Sequence, residues 1–174
     1  LFSVMINDLP TAVNSTMHLF ADDACLWETG LNITASAKNI QKSLDEVFKW
    51  TTKWGLRVNV QKSAVVIFSK RSNLPQVNLQ IGGTPLSINK QHKYLGIKFD
   101  SRLSYRLHKD AVVDKCTKRL NILRVLSGTS WGASKPCLLA VYRALIRSVI
   151  EYGCEAYLFS PLYIIQAIQK IQNT

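Results

Sequence analysis

Two adjacent carboxylates, Asp22 and Asp23, lie between two short apolar runs at residues 17–20 and 24–27. Each run has the length of a strand, so a tight turn between them predicts a β-hairpin with both aspartates at its tip. Because side chains alternate between the faces of a strand, neighbouring aspartates share one site only where a turn breaks the alternation. Two like charges with apolar flanks repel unless a cation neutralises them, and Mg²⁺ takes carboxylate oxygens as ligands. The stretch predicts a metal-binding turn, and a merely solvated surface turn is the alternative.

The aromatic-Ala-Asp-Asp stretch Phe20–Asp23 resembles the box of reverse transcriptases that carries catalytic aspartates on a turn of the palm subdomain. Four further stretches resemble the reverse transcriptases of non-LTR (LINE-type) retrotransposons, in the same order along the chain. They are Leu1–Pro10, Leu56–Ser63, Tyr94–Asp100 and Ser148–Gly153. Each motif is weak by itself, but together and in order they extend the resemblance over nearly all of the 174 residues.

The resemblance implies an α+β fold that is part of a polymerase. Residues 1–100 correspond to the C-terminal part of the palm, an incomplete palm in which antiparallel β-hairpins pack with helices. Residues 101–174 correspond to an all-helical, thumb-like bundle that is truncated at its end. The chain starts at Leu1 inside an apolar pattern and reads as an excerpt. We expect the fingers and the first part of the palm in an upstream portion of the same polyprotein.

The charge of the chain is divided unevenly along its length. Residues 1–48 carry two basic and six acidic side chains, a net charge of −4, whereas residues 49–174 carry 20 basic and five acidic side chains, a net charge of +15. A basic region after the aspartate pair is the layout expected of a metal site followed by a phosphate-binding surface. A solvated basic surface without a partner is the alternative.

Composition and spacing argue against several other classes of protein. Hydrophobic residues make up 47% of the chain, enough for a sizeable core. The four cysteines show no paired spacing and the three histidines share none, so no zinc site, disulfide framework or nucleophilic set is predicted. The most apolar stretch, residues 137–150, contains Arg143 and Arg147, so no membrane span is expected. We expect an intracellular protein that acts in the nucleus.

Periodicity predicts a long helix behind the aspartate hairpin. Thr34 or Ser36 would cap it and Gly55 would end it. Its apolar stripe consists of Ile40, Leu44, Val47, Phe48, Thr51 and Trp54. The four tryptophans are expected to be core or packing residues and not platforms on which bases stack.

Shorter elements are predicted after this helix. Strands are expected at residues 56–60 and 64–68, and a hairpin with Gly82-Gly83 in its loop at residues 77–88. Three helices follow Asp100, at residues 108–127, from a Ser134 cap to Tyr152, and from Ser160-Pro161 onward. Their candidate phosphate contacts are Arg119, Arg124, Lys135, Arg143 and Arg147.

Two further segments gain a role from the resemblance. Lys62 lies in an Asn-x-x-Lys motif that reverse transcriptases have beside the active site, where it would donate a proton or charge to the leaving pyrophosphate. A solvated turn lysine is the alternative. Tyr94, Leu95 and Gly96 match the Tyr-Leu-Gly box of the primer grip, on a strand predicted at residues 94–99 that touches the primer backbone. Gly96 has no side chain, so another backbone can approach it closely.

The resemblance also implies a chemistry and its partners. Asp22 would be a direct ligand of Mg²⁺ (or Mn²⁺) in a two-metal site, and Asp23 would be the weaker partner. The partners would be an RNA template, a DNA primer and deoxynucleoside triphosphates. The family adds another aspartate from an upstream strand and a Gln-Gly segment, and this sequence contains neither. We therefore expect the chain to be inactive alone.

Two other functions fit the same residues. One is a catalytically dead remnant that binds nucleic acid through its basic half, and it would need no upstream aspartate. The other is a reverse transcriptase of the group II intron or retron type, which shares the Ala-Asp-Asp box. The Tyr-Leu-Gly box and Ser148–Gly153 favour the non-LTR type.

Overall fold

The computed structural model describes residues 2–128, 131–157 and 160–173. Helices and short strands are mixed along the chain, which confirms the α+β class predicted from the sequence. The chain divides into two compact units, Leu1–Asn89 and Lys90–Thr174. This boundary lies before residue 100, so the strands around the Tyr-Leu-Gly box belong to the second unit. The palm and thumb assignments stay predictions.

The first unit begins with the aspartate hairpin and one long helix. Its elements up to residue 53 are α1 (Phe2–Ile6), a 3₁₀ helix (Leu9–Ala12), β1 (Thr16–Phe20), β2 (Asp23–Trp27) and α2 (Ile33–Lys53). β1 and β2 pair antiparallel, with Thr16 opposite Trp27 and Phe20 opposite Asp23. The predicted hairpin is therefore present.

The helix α2 ends as predicted, but a different residue caps it. The side chain of Asn32 accepts hydrogen bonds from the amides of Thr34 (2.9 Å) and Ala35 (3.3 Å), so the predicted caps Thr34 and Ser36 are wrong. Asn32 precedes the first turn with an extended backbone, from which a side-chain oxygen reaches these amides. Gly55 follows the last turn.

The buried side of α2 differs from the predicted stripe. Trp50, which the stripe omits, is buried with Val47 and Thr51, whereas Phe48 is close to half exposed. Val47, Trp50 and Thr51 are three and four residues apart, so one face of the helix carries all three. Of the tryptophans, Trp50 is a core residue, whereas Trp27, Trp54 and Trp131 are 45–67% exposed. The rings of Trp27 and Trp54 pack against those of His18 and Trp50.

The rest of the first unit contains short strands. They are β3 (Ala64–Val65), β4 (Gln80–Ile81), β5 (Thr84–Pro85) and β6 (Ser87–Ile88). β4 and β5 form the predicted hairpin around Gly82-Gly83, and β3 pairs in parallel with β6. The side-chain amide of Gln41 on α2 pairs with the backbone of β4 as an adjacent strand would. Its side chain accepts from the amide of Gln80 and donates to the carbonyl of the same residue, both at 2.9 Å.

Two strand predictions in this region are wrong, one wholly and one in part. Residues 56–60 form no strand, and the strand predicted at 64–68 pairs only over Ala64–Val65. A local turn accounts for the first of these, because the amides of Lys62 and Ser63 both donate to the carbonyl of Asn59. These bonds use backbone groups that a sheet would need.

The second unit begins with a hairpin and continues as helices. Its elements are β7 (Gln91–Tyr94), β8 (Ile97–Asp100), α3 (Arg106–Leu126), α4 (Lys135–Tyr142), α5 (Ser148–Glu151), α6 (Cys154–Tyr157) and α7 (Leu162–Gln172). A π-helical turn (Arg143–Arg147) joins α4 to α5, so residues 135–151 form one helical run. The three predicted helices are present near their predicted bounds, and α6 is an additional short helix.

The single strand predicted at residues 94–99 is wrong. β7 and β8 pair antiparallel with Tyr94 opposite Ile97, so Leu95 and Gly96 form a two-residue loop. Both loop residues have a positive φ (45° and 82°), as in a type I′ hairpin turn. Leucine rarely adopts such a φ, so the loop lacks the usual sequence signature of this turn.

Each unit has its own hydrophobic core. In the first unit the core includes Leu9, Val47 and Trp50, and in the second it includes Cys116 and Ile146. All four cysteines are free thiols. Within the described ranges, no helix combines the length and the apolar character needed to cross a membrane.

Candidate functional site

The aspartate pair lies at the tip of the β1–β2 hairpin. Because Phe20 pairs with Asp23, Ala21 and Asp22 form a two-residue loop. Ala21 has a φ of 52°, in a region that costs a residue with a Cβ about 1–2 kcal/mol. The turn thus places Asp22 in the loop and Asp23 at the first position of β2, and both side chains are exposed.

The two faces of this hairpin have different surroundings. Met17 and Leu19 pack in the core of the first unit. Phe20, Asp23 and Trp27 lie on the opposite face by strand alternation. There Phe20 is 63% exposed and Trp27 is 45% exposed. Asp23 therefore lies on an open face, opposite Phe20 and beside the loop that carries Asp22.

The helix α2 holds the base of the hairpin. The Glu46 carboxylate accepts hydrogen bonds from the backbone amide (3.0 Å) and the side-chain amide (2.7 Å) of Asn14. The buried hydroxyl of Ser43 accepts from the amide of Ser15 (3.1 Å) and donates to its hydroxyl (2.8 Å). These bonds brace the residues that lead into β1. The sequence does not reveal these bonds, because their partners are 32 and 28 residues apart.

The donor chemistry of the pair fits a hard divalent cation. Carboxylate oxygens are the ligands that Mg²⁺ and Mn²⁺ prefer, and both carboxylates are open to solvent. Among residues 2–128, 131–157 and 160–173, no three His, Cys, Asp or Glu side chains form a group that could hold a metal ion. The described residues thus contribute two adjacent carboxylates, without a third such side chain beside them.

Lys62 lies in the turn that follows Asn59, in the same unit as the aspartates. Its backbone amide donates to the carbonyl and to the side-chain oxygen of Asn59, each at 3.2 Å. The side chain is exposed, and none of the ion pairs among the described residues includes it. The structure therefore does not bring Lys62 into ion-pair contact with Asp22 or Asp23, and its catalytic role stays a prediction.

The Leu95-Gly96 loop of the second unit is held by the residues that follow α5. The hydroxyl of Tyr152 donates to the carbonyl of Leu95 at 2.7 Å. A Cβ on Gly96 would lie 3.0 Å from the ring of Tyr152, so a side chain there would push the ring aside. A Cβ on Gly153 would lie 2.7 Å from Ile97. The structure thus brings together two of the motif stretches that the sequence identifies.

This contact bears on which residues of the Tyr-Leu-Gly box are open to a primer. The carbonyl of Leu95 is already bonded to Tyr152. Tyr94 and Leu95 are half-buried, and Gly96 is exposed. Gly96 is therefore the most open of the three residues predicted to touch the primer.

Asp100 fixes the chain as it leaves β8. Its carboxylate accepts hydrogen bonds from the amides of Ser104 (2.9 Å), Tyr105 (3.1 Å) and Arg102 (3.2 Å). Burial raises the pKa of this carboxyl, but the amide bonds outweigh burial and hold the pKa below its usual value of 3.8. Asp100 is therefore an ionised cap for the turn that leads to α3.

His108 on α3 is a buried titratable group that lies outside the motifs identified in the sequence. It is 5% exposed, its Nδ1 accepts from the amide of Lys98 at 3.5 Å, and its Nε2 has no hydrogen-bond partner among the described residues. Burial lowers the pKa of His108 from 6.5, and the charge of Lys98 lowers it further. The ring of Tyr157 lies 5.5 Å away, and burial raises the pKa of that tyrosine to about 12. His108 is therefore a neutral, buried side chain at neutral pH.

The helical residues predicted to contact phosphate differ in how free they are. Arg119 donates to the carbonyl of Leu145 in the π-helical turn, which gives it a structural bond. Arg147 forms an ion pair with Glu151 at 2.5 Å. Arg124 donates to the side-chain oxygen of Asn121 at 3.2 Å. Lys135 and Arg143 are exposed, and neither takes part in the ion pairs of the described residues.

Residues 1–99 match the family model described as "Reverse transcriptase (RNA-dependent DNA polymerase)", which is more than half of the chain. The chain belongs to the reverse transcriptase family. The matched range contains the Asp22-Asp23 hairpin, Lys62 and the Leu95-Gly96 loop. The resemblance drawn from the motifs is confirmed.

Relatives of this reverse transcriptase chain are proteins of mobile elements. It is 26% identical over 166 residues to the RNA-directed DNA polymerase from mobile element jockey and 27% identical over 182 residues to the probable RNA-directed DNA polymerase from transposon BS, both of Drosophila melanogaster. These alignments cover 90% and 99% of the chain but only 18% and 20% of the relatives. A Pol polyprotein from type-1 retrotransposable element R1 of Nasonia vitripennis is 20% identical, over 86% of the chain and 46% of that protein. No solved structure matches the chain.

Proposed function

We propose that the chain is a portion of an RNA-directed DNA polymerase of a non-LTR retrotransposon and supplies two carboxylates to nucleotidyl transfer. The observation that supports the proposal is the two-residue turn, which puts Asp22 in a loop and Asp23 on the adjoining open face. In a regular strand, alternation would place neighbouring carboxylates on opposite faces. The turn removes that separation, so both can serve one site.

Asp22 is the direct metal ligand and Asp23 the weaker partner in this proposal. Mg²⁺, or Mn²⁺ in its place, supplies positive charge to the reacting phosphates when bound. Lys62 donates a proton or charge to the leaving pyrophosphate. The upstream fingers and palm portion of the same polyprotein provides the remaining ligand.

The proposed partners are an RNA template, a DNA primer and deoxynucleoside triphosphates, and the proposed place of action is the nucleus. Residues 90–174 carry 14 basic and five acidic side chains, a net charge of +9, against +2 for residues 1–89. Such a surplus attracts a phosphate backbone whatever its sequence. The proposed contacts are Tyr94, Leu95, Gly96, Arg119, Arg124, Lys135, Arg143 and Arg147.

Primer extension by the complete polymerase tests this proposal. Asp22→Asn keeps the size of the side chain and removes its charge. We expect it to abolish extension on an RNA template with Mg²⁺, while duplex binding measured by fluorescence anisotropy stays unchanged. Asp8→Asn is the matched control, because Asp8 is an exposed carboxylate outside the hairpin, and it should extend normally. Normal extension by Asp22→Asn would overturn the assignment.

The same assay separates the polymerase from a catalytically dead remnant. A complete wild-type protein that binds the duplex and adds no nucleotide would favour the remnant. Extension by the wild-type protein excludes it.

A further inference from the structure

The β7–β8 hairpin presents two lysines side by side. In its register Lys93 lies directly opposite Lys98, and both side chains are exposed. Opposite residues of antiparallel strands share one face and have Cβ atoms about 4.5–5.5 Å apart. Like charges in this position destabilise a hairpin. Two lysines here are therefore a feature that folding alone does not favour.

In the part of the chain that the structure describes, no carboxylate compensates the two lysines. Neither lysine takes part in the ion pairs of that part of the chain. Asp100 shares their face by alternation, but its carboxylate is bonded to the amides of the turn that follows it. His108, the titratable group next to Lys98, is buried and brings no negative charge. The positive charge of the pair is thus open to an anion from outside.

Packing on the other face fixes how the hairpin presents the lysines. The ring of Phe99 meets Tyr105 edge-on, with centroids 6.0 Å apart, and Ile97 lies against Gly153. Tyr152 holds the loop through the carbonyl of Leu95. The lysines therefore lie on a hairpin that is held in place from its other face. Lys93 is two residues before the Leu95-Gly96 loop, and Lys98 is two residues after it.

We propose that Lys93 and Lys98 form a phosphate-binding pair for the backbone of a primer–template duplex. The inference rests on the proposed polymerase function and adds two residues to its nucleic-acid contacts. A lysine ammonium group is a compact point charge that suits phosphate oxygens without reading a base. A bound phosphodiester also relieves the repulsion between the two lysines, so the destabilising arrangement in the free protein becomes favourable in the complex.

Salt-dependent binding by the 174-residue chain tests the pair. The probe is a fluorescein-labelled DNA primer annealed to an RNA template, titrated by anisotropy over a series of salt concentrations. For a duplex, log K falls as log salt rises, and each lost phosphate contact reduces the steepness of that fall by about 0.9. We expect Lys93→Gln/Lys98→Gln to make the slope less negative by about 1.8, and Lys93→Arg/Lys98→Arg to restore the wild-type slope.

The matched control is Lys115→Gln/Lys118→Gln, which removes the same charge from exposed positions of α3. Lys118 is already paired with Asp114 at 2.8 Å, so we expect the control to keep the wild-type slope. Equal slopes for the pair variant and the control would overturn the proposal, since the two lysines would then act only through net charge. A wild-type chain that does not bind the duplex would instead contradict the proposed nucleic-acid role itself, and the pair with it.

Thermal unfolding separates binding from folding in the same variants. Because Lys93→Gln/Lys98→Gln removes a repulsion, its Tm should equal or exceed the wild-type Tm at low salt. A lower Tm would mean that the lysines support the fold and would overturn the proposal. A second result would also overturn it. If Lys93→Gln/Lys98→Gln bound the duplex like the wild-type chain but no longer bound vesicles of anionic lipid, the pair would serve a membrane surface.

Discussion

A single buried imidazole is expected to make the second unit sensitive to acid. Burial, and then the charge of Lys98, lower the pKa of His108 below 6.5 in the folded chain. The solvated imidazole of the unfolded chain keeps its ordinary pKa, so the unfolded state binds more protons as the pH falls. The stability that rests on neutral His108 is therefore fully present above about pH 6.5 and is lost as the pH falls below it.

We expect the Tm of the chain to decrease as the pH is lowered through about 6.5, and His108→Phe to remove most of this dependence. Hydrogen exchange of the α3 amides reports the same change locally. His18→Gln is the control, because His18 lies on the exposed face of the aspartate hairpin and should keep the wild-type profile. An unaltered pH profile in His108→Phe would contradict the role of this imidazole.

Asp100 also makes the second unit less stable in acid, but at lower pH. Its pKa in the folded chain lies below 3.8, so the stability that its carboxylate contributes is lost as the pH falls through that range.

At the scale of elements, the β7–β8 hairpin depends on the residues that follow α5. Tyr152→Phe removes only the hydroxyl that holds the carbonyl of Leu95. One such hydrogen bond contributes about 0.5–1.5 kcal/mol, so the free energy of unfolding should fall by no more than that. In the complete polymerase we expect the KM for primer–template to rise while kcat is retained. The loop loses its fixed position, but the aspartates are untouched.

Tyr163→Phe on α7 is the control for this prediction. Tyr163 is exposed, and in the described residues its hydroxyl has no hydrogen bond, so stability and KM should both stay at wild-type values. Denaturant unfolding and steady-state kinetics measure the two quantities. If Tyr152→Phe lowered kcat and left KM unchanged, the hydroxyl would not be positioning the loop for primer.

The hairpins show what the sequence can and cannot reveal about these elements. Gly82-Gly83 adopts positive φ without strain, so its turn is predictable from residue types alone. Leu95 has no such preference, and a residue 57 positions away bonds to it. The aspartate pair was likewise recognisable as a motif, whereas the opposition of Lys93 and Lys98 depends on strand register. Turns and motifs that depend on neighbouring residues can be predicted from the sequence, but contacts between residues far apart in the chain cannot.

At the scale of the whole molecule, the aspartate pair and most of the excess positive charge belong to different units, each with its own core. The core of the first unit supports the aspartate hairpin, and the core of the second unit lies among helices that carry most of the excess positive charge. Since each core is formed by residues of one unit, neither needs the other to bury its apolar side chains. A cut between Asn89 and Lys90 should therefore separate Asp22 and Asp23 from the basic residues of 90–174 without exposing either core.

We expect polypeptides 1–89 and 90–174 each to fold when produced separately, with cooperative thermal unfolding followed by far-UV circular dichroism. A cut between Asp114 and Lys115 is the control, because it passes through α3 and should prevent the second unit from folding. With a net charge of +9, residues 90–174 should bind a primer–template duplex with nearly the salt dependence of the whole chain. Residues 1–89, with a net charge of +2, should bind weakly. Tight binding by residues 1–89 would show that net charge does not decide where the nucleic acid binds. An unfolded 90–174 polypeptide would show that the second unit needs the first in order to fold.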